Sequence, residues 1–314
     1  MFNVSGALDR SKLFSRFSRD ELVTRYRQKY GLGNTITIEH VQKHAELEGM
    51  LTDKLLATTL DTRSETFEAA YSQLYSDLPW LAGTGTHNGG EQWCSLMKKI
   101  IHKPDAKVYE IGSGAGYLVK YLGQQGYKCT GTDISSEREK ASSSATMEEK
   151  NVNWAVTDGV NLTKFAQKDN FDFIISDQVV EHLHPHDIIT HFKEAKSLLK
   201  SGGCYIMRTP YSAEGPCDLS VVFGEDKPVF MHLHEFGYTE MTVIKQDCGY
   251  KNVKAVFRYS RFSICIASSF YFKYIRFIEN LAKKLSISSK AEQIFKKMRR
   301  FLLLPRGVWV CFET

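Results

Sequence analysis

No stretch of this chain reaches the roughly 18 apolar residues that a membrane-spanning helix requires, and its first residues, MFNVSGALDRSKLFSRF, hold no continuous apolar run of the kind an export signal carries. A cytoplasmic protein is expected. The seven cysteines are odd in number and scattered, with no C-x-x-C pair. That excludes the usual zinc and redox motifs and leaves reduced thiols, several of them packed as small hydrophobes. Repeats and low-complexity tracts are absent as well.

What is there is ordinary globular material. The 314 residues are 42% hydrophobic and 25% charged, enough to bury a real core. The net charge of +5 is unevenly spread: Arg258 to Arg306 hold twelve Lys or Arg against two Glu, a local +10 that leaves −5 elsewhere. The basic character belongs to one segment.

Residues 1–86 read as a helical extension. One helix is predicted over 37–58, with Ile38, Val41, Ala45 and Leu55 on one side; a second follows TRSE, with Phe67, Tyr71, Leu74, Tyr75 and Leu78 at helical spacing before Pro79. The pattern then changes to short strand-like runs separated by helical stretches: KVYEIG (107–112), KCTGTD (128–133), VNWAVTD (152–158), FDFIISD (171–177) and GCYIMRTP (203–210). The connections between the first four runs lack hairpin signals, and several have room for a crossover helix. The expected fold is α/β, a doubly wound, mostly parallel seven-stranded sheet with helices on both faces. Its core spans 87–259, including a helix over TEMTVIKQDCGY and a strand VKAVFRY (253–259). A basic helical insertion follows at 260–305, and the last strand lies in 306–314. Ligands on such sheets bind at the carboxyl ends of the strands.

The first run leads into VYEIGSGAGY, with Gly112, Gly114 and Gly116 at every second position. A turn this bare lets backbone approach a ligand and aims helix N-terminal N–H groups at an anion, phosphate or carboxylate. The dinucleotide fingerprint needs a glycine where Tyr117 stands, and no nucleoside-triphosphate loop is present. The E-x-G-x-G-x-G pattern resembles the first motif of the class I S-adenosylmethionine-dependent methyltransferases. That resemblance implies that Glu110, Gly112, Ser113, Gly114 and Gly116 hold the methionine end of the cofactor and that Asp133, with Ile134 beside it, receives the ribose hydroxyls. It further implies that Asp158 and Gly159 meet the adenine and that Gln178, in SDQVVEHL, lies close to the cofactor. S-adenosyl-L-methionine is the cofactor expected, S-adenosyl-L-homocysteine its product. For each acid the bland alternative is a cap or solvated turn.

Methyl transfer needs alignment, a dry site and, for many acceptors, a group to take a proton. Histidine has the right pKa. EHLHPHD supplies His182 and FMHLHEF supplies His232 and His234, all three candidate bases and the last two also candidate acceptor contacts with Tyr211 of RTPYS. QVVEH resembles the E-V-x-E-H of the ubiquinone-type O-methyltransferases, where carboxylates and histidine can bind a divalent cation; Gln178 replaces the first Glu, and no metal is expected. The acceptor expected is a small molecule, methylated at oxygen. Nucleic acid is not expected, since the N-P-P-Y type motif and any known RNA-binding module are missing.

In the basic insertion, Phe270, Tyr274, Phe277, Ile278, Leu281 and Leu285 fall on one face and 290–303 repeat the pattern, suiting a lid or contact with an anionic lipid or membrane surface. The N-terminal helices are expected to cover the cofactor. The alternative from another class is a catalytically silent cofactor-binding protein that docks a partner through these basic helices.

Overall fold

Val108, Tyr109, Glu110 and Ile111 are all buried, the pattern of a strand covered on both faces by helices. The computed structural model describes residues 10, 12–81, 89–136, 150–259, 264–285, 305 and 307–314. Its strands are β1 (Lys107–Ile111), β2 (Lys128–Asp133), β3 (Val152–Val156), β4 (Phe171–Asp177), β5 (Leu199–Pro210), β6 (Asn252–Tyr259), β7 (Ile264–Ser268) and β8 (Gly307–Glu313). They form one sheet in the order β3-β2-β1-β4-β5-β8-β6-β7. The pairs from β3 to β5 are parallel, and β8 runs antiparallel between β5 and β6. The α/β class is as expected.

The sheet has one strand more than the seven expected, because the insertion read as helical opens with β7, paired antiparallel to β6. The order of strands reverses between β1 and β4, and the carboxyl ends of both face the cavity described below.

The helices are α1 (Arg19–Tyr30), α2 (Ile38–Leu56), α3 (Leu60–Asp77), α4 (Gly89–Ile100), α5 (Tyr117–Gln124), α6 (Ile188–Leu198), α7 (Tyr238–Asp247) and α8 (Ser269–Leu285). Helix α1 starts where Ser18 Oγ accepts the Glu21 N–H at 3.3 Å and stops at Gly31, which takes the left-handed conformation. The N-terminal helices are not a separate lobe. Leu22 and Tyr26 share a core with Phe223 and Phe230 of the segment after β5, while Leu51, Leu55, Phe67 and Tyr71 pack with Met231. The loop after β5 is thereby fixed against α1–α3. No helix among the described residues is long and apolar enough to cross a membrane.

Helix α8 corrects one expectation. Its buried positions are Phe272, Ile275, Ile278 and Glu279, whereas Phe270, Phe277 and Leu281 of the predicted inner face are exposed. The buried carboxylate of Glu279 caps α7, accepting the N–H of Tyr238 at 3.1 Å and of Thr239 at 2.7 Å. This anchor holds α8 against α7 and β6, and none of residues 264–285 lines the cavity. The second amphipathic run, 290–303, lies outside the described residues, as does most of the linker read at 85–93.

Candidate active site

Between β1 and α5 the backbone takes positive φ at Gly112, Gly114 and Gly116. A Cβ built on Gly112 would stand 2.5 Å from Val179 Cγ2, so the turn admits no side chain there. Ser113 pins the turn to β2: its N–H donates to Thr132 O at 2.7 Å, and its Oγ accepts the Thr132 N–H at 3.0 Å. Ser113 therefore shapes the loop from beneath. Glu110 lies under it too, buried, its carboxyl pushed up to about 8 by that burial, with Oε2 unpartnered.

Asp133 ends β2. Its Oδ2 accepts the Gly114 N–H at 3.1 Å and its Oδ1 the Ser135 N–H at 3.0 Å, which orients the carboxylate while its remaining lone pairs face the cavity it lines. Asp158 is held harder, accepting from Val160 N–H and Asn161 N–H, both at 2.8 Å, and from Asn161 Nδ2 at 2.6 Å, the turn-capping arrangement given above as its bland alternative. It lines the cavity all the same, as do Gly112, Ile134, Gly159, Gln178 and His182. Gln178 carries φ +57°, a left-handed backbone rare outside glycine, at the point where β4 opens into the crevice.

Sequence reasoning expected the N-terminal helices over the cofactor but missed the residues: Phe67, Tyr71 and Tyr75 of α3 line the same cavity. His191 was missed as well: it donates from Nδ1 to Gly159 O at 2.6 Å and accepts the Tyr205 hydroxyl at Nε2, 2.7 Å away, which positions the Gly159 turn. Burial depresses its pKa to about 4.

Beyond Gln178, the cavity-lining His182 meets a second imidazole from another loop, His232, with ring centroids 4.9 Å apart. His182 Nδ1 donates to Met231 O at 2.9 Å, and His232 Nδ1 donates to Glu235 Oε1 at 2.7 Å. Both Nε2 atoms are therefore the lone-pair nitrogens. Burial lowers both pKa values, that of His182 to about 4. Glu235, itself buried and pushed up to about 7, is steadied by the Cys217 N–H at 2.7 Å. Edge-on contact with Tyr71, centroids 5.9 Å apart, ties His182 to α3.

Two candidates separate from this group. His234 is bound through Nε2 to Glu240 at 2.7 Å, and Glu240 caps α7 by accepting the Gly237 N–H, so His234 serves that helix end. Tyr211 is 4% exposed and packs edge-on against Tyr238 in the main core, lining neither cavity described. A metal was not expected, yet Glu181, His182 and His232 each bring one ligand atom to within 4.8 Å of the others. His232 thus brings a third donor atom near those of Glu181 and His182, which linear spacing does not show.

The cavity fits the cofactor expected: a bare turn, a fixed carboxylate one strand over and apolar walls from Ile111, Ile134 and Leu183. Residues 109–207 match the family model described as a methyltransferase domain. No curated protein matches the sequence. Among solved structures, the chain is similar to the 1,6-didemethyltoxoflavin-N1-methyltransferase of Burkholderia thailandensis, bound to 1,6-didemethyltoxoflavin and S-adenosylhomocysteine. The two are 14% identical with a TM-score of 0.50, covering 67% of this chain and 88% of that one. A SAM-dependent methyltransferase from Archaeoglobus fulgidus is 17% identical, with a TM-score of 0.48, covering 72% and 95%. At such identities the likeness is one of fold. The family match runs from β1 to β5 through the glycine turn and Asp133, so residues 109–207 form a methyltransferase domain of the S-adenosylmethionine-dependent type.

Proposed function

We propose that the protein methylates an oxygen of a small-molecule acceptor held between α2, α3 and the loops after β4 and β5. The cofactor supplies a methyl group on a sulfonium, and the chain supplies alignment, exclusion of water and a proton acceptor. Asp133 and the glycine turn orient the cofactor, and Phe67 and Tyr71 shield it. His232, with Nδ1 donated to Glu235, presents a neutral Nε2 to the acceptor hydroxyl; His182, fixed by Met231 O, borders the same space. The observation that carries this reading is the buried His232–Glu235 pair beside a cavity-lining histidine.

Calorimetry with S-adenosylmethionine and S-adenosylhomocysteine, then a methylation assay over a panel of hydroxyl, amine and carbon acceptors, tests it. Tight cofactor binding with no turnover of any acceptor would favour the silent binder, and turnover confined to amines or carbon would reject the oxygen assignment. Asp133→Ala is expected to weaken cofactor affinity by about 5- to 150-fold, the equivalent of about 1–3 kcal/mol for hydroxyls left unpaired in the bound state; unchanged affinity would remove the ribose assignment.

A peripheral contact with an anionic membrane surface is favoured by the exposed Phe270, Phe277 and Leu281 beside exposed Lys273 and Lys284. Sedimentation with phosphatidylserine-containing vesicles but not with phosphatidylcholine alone is the expected result. Equal behaviour with both would discard it.

A further inference from the structure

Helix α2 carries His44, Glu48 and Thr52 four residues apart, one buried stripe facing inward. Their hydrogen bonds have a direction. Trp80 Nε1, which can only donate, gives its proton to Tyr26 Oη at 3.0 Å, and Tyr26 Oη lies 2.8 Å from His44 Nδ1. His44 Nε2 lies 2.8 Å from Glu48 Oε1. The relay closes with every group satisfied when Tyr26 donates to Nδ1, a neutral His44 donates from Nε2, and Glu48 is an anion. Burial works against the charged form of Glu48, but the hydrogen bond that His44 Nε2 donates favours it, and the carboxyl stays below the usual range.

The chain ends on an atom with nothing to accept. Glu48 Oε2 is buried without a hydrogen-bond partner, and so are Tyr71 Oη and Glu181 Oε1. Packing brings these groups to one place: Leu47 and Leu51, on either side of Glu48, pack with Tyr71 and Met231; His182 stands edge-on to Tyr71 and donates to Met231 O, and Glu181 brings a ligand atom close to those of His182 and His232. The other acids facing it, Asp218 and Glu235, have the same sign. Of the nearby cations, Lys29 donates to Cys217 O and Arg10 to Asp53 and Val229 O; Arg10 Nη2 is buried and unpartnered, so it is not hydrogen-bonded to Glu48 either. An anion held by a dedicated relay, with one oxygen unpaired inside the protein, is costly unless a positively charged donor joins it.

We propose that Glu48 is a specificity-determining residue that selects acceptors carrying an ammonium group, receiving the ammonium at Oε2 while the hydroxyl to be methylated points at His232. The assignment rests on the reaction proposed above and names its substrate class, a small amino alcohol or aminated phenol.

The test uses matched acceptors that differ only in tail charge: tyramine, 4-ethylphenol and 3-(4-hydroxyphenyl)propionate, and the aliphatic set 3-aminopropanol, 1-butanol and 4-hydroxybutyrate. Methyl transfer from S-adenosylmethionine is measured in the presence of EDTA, so that a divalent ion cannot stand in for the ammonium. In at least one set the cationic member is expected to show kcat/KM tenfold or more above the neutral one. Glu48→Gln is expected to bring the two within about twofold while S-adenosylhomocysteine affinity stays as in the wild type, and Glu48→Asp to restore part of the preference. Equal use of all three tails by the wild type overturns the proposal without touching the reaction. A preference that survives in Glu48→Gln overturns it too. No methylation of any hydroxyl removes the reaction and this assignment together. Should the glutamine variant fail to fold, the wild-type comparison still decides.

Discussion

His232→Gln is expected to lower kcat by about 10²- to 10⁴-fold, the range for loss of a positioned general base, with cofactor affinity within twofold of the wild type. The expectation comes from the division of labour on the ring. Nδ1 is committed to Glu235, a carboxylate itself fixed by the Cys217 N–H, so the imidazole cannot rotate and Nε2 is held toward His182. Glutamine keeps the bulk and some hydrogen bonding but cannot accept a proton near neutral pH. Because burial holds the His232 pKa below its ordinary value, the base form persists on the acid side of pH 6.5. The wild-type rate should therefore fall on the acid side in two steps, first near pH 7 as Glu235 takes a proton and frees the ring, then at lower pH as the ring itself protonates. Activity should also survive EDTA; a loss reversed by a divalent cation would make Glu181, His182 and His232 ligands instead. Full turnover in His232→Gln would remove this residue from the chemistry.

Arg63→Ala carries the largest expected effect on stability, about 3–5 kcal/mol, the cost of breaking a buried ion pair from one side. Arg63 of α3 reaches Asp187 across the crevice, with side-chain exposures of 8% and 10%, and also donates to Thr58 Oγ1 at 3.2 Å. Burial already raises the Asp187 pKa, with Arg63 opposing. Without the guanidinium that carboxyl must rise further. A carboxyl whose folded pKa exceeds its unfolded value binds a proton more tightly in the native state, so its contribution is favourable at low pH and is lost as pH rises through the folded pKa. The deficit of Arg63→Ala, measured by urea unfolding, should be larger at pH 8 than at pH 5. Since α3 also carries Phe67, Tyr71 and Tyr75, cofactor affinity should fall with it. A small, pH-independent change would show that the pair is not what holds α3 in place.

The strands were legible as short β-type runs without hairpin signals between them: KCTGTD and FDFIISD became the parallel strands β2 and β4 with the boundaries read from the sequence. The cofactor side was legible for a related reason. A turn without side chains and an acid at the next strand end are local features, and Gly112, Asp133, Asp158 and Gln178 came to the cavity as read. Helix α8 was misread for want of a partner: Phe270, Tyr274, Phe277 and Leu281 are a fair apolar row, but the face that docks is set by Glu279 reaching the N-terminus of α7, some forty residues earlier in the chain.

The acceptor side belongs to tertiary structure. His232 and His234 stand two residues apart in one motif, yet one pairs with Glu235 beside His182 and the other with the cap of α7. Glu48 was one acid among many on α2 until folding set its unpaired oxygen among groups from three other segments. The sequence by itself determined the fold class and pointed to the cofactor and to the glycine turn proposed to hold it, since these follow from periodicity and backbone freedom over a few residues. The proposed base, the helix that lines the cavity and the proposed charge of the acceptor rest on three dimensions, because each depends on a neighbour distant in the chain and on whether burial leaves a polar atom with a partner.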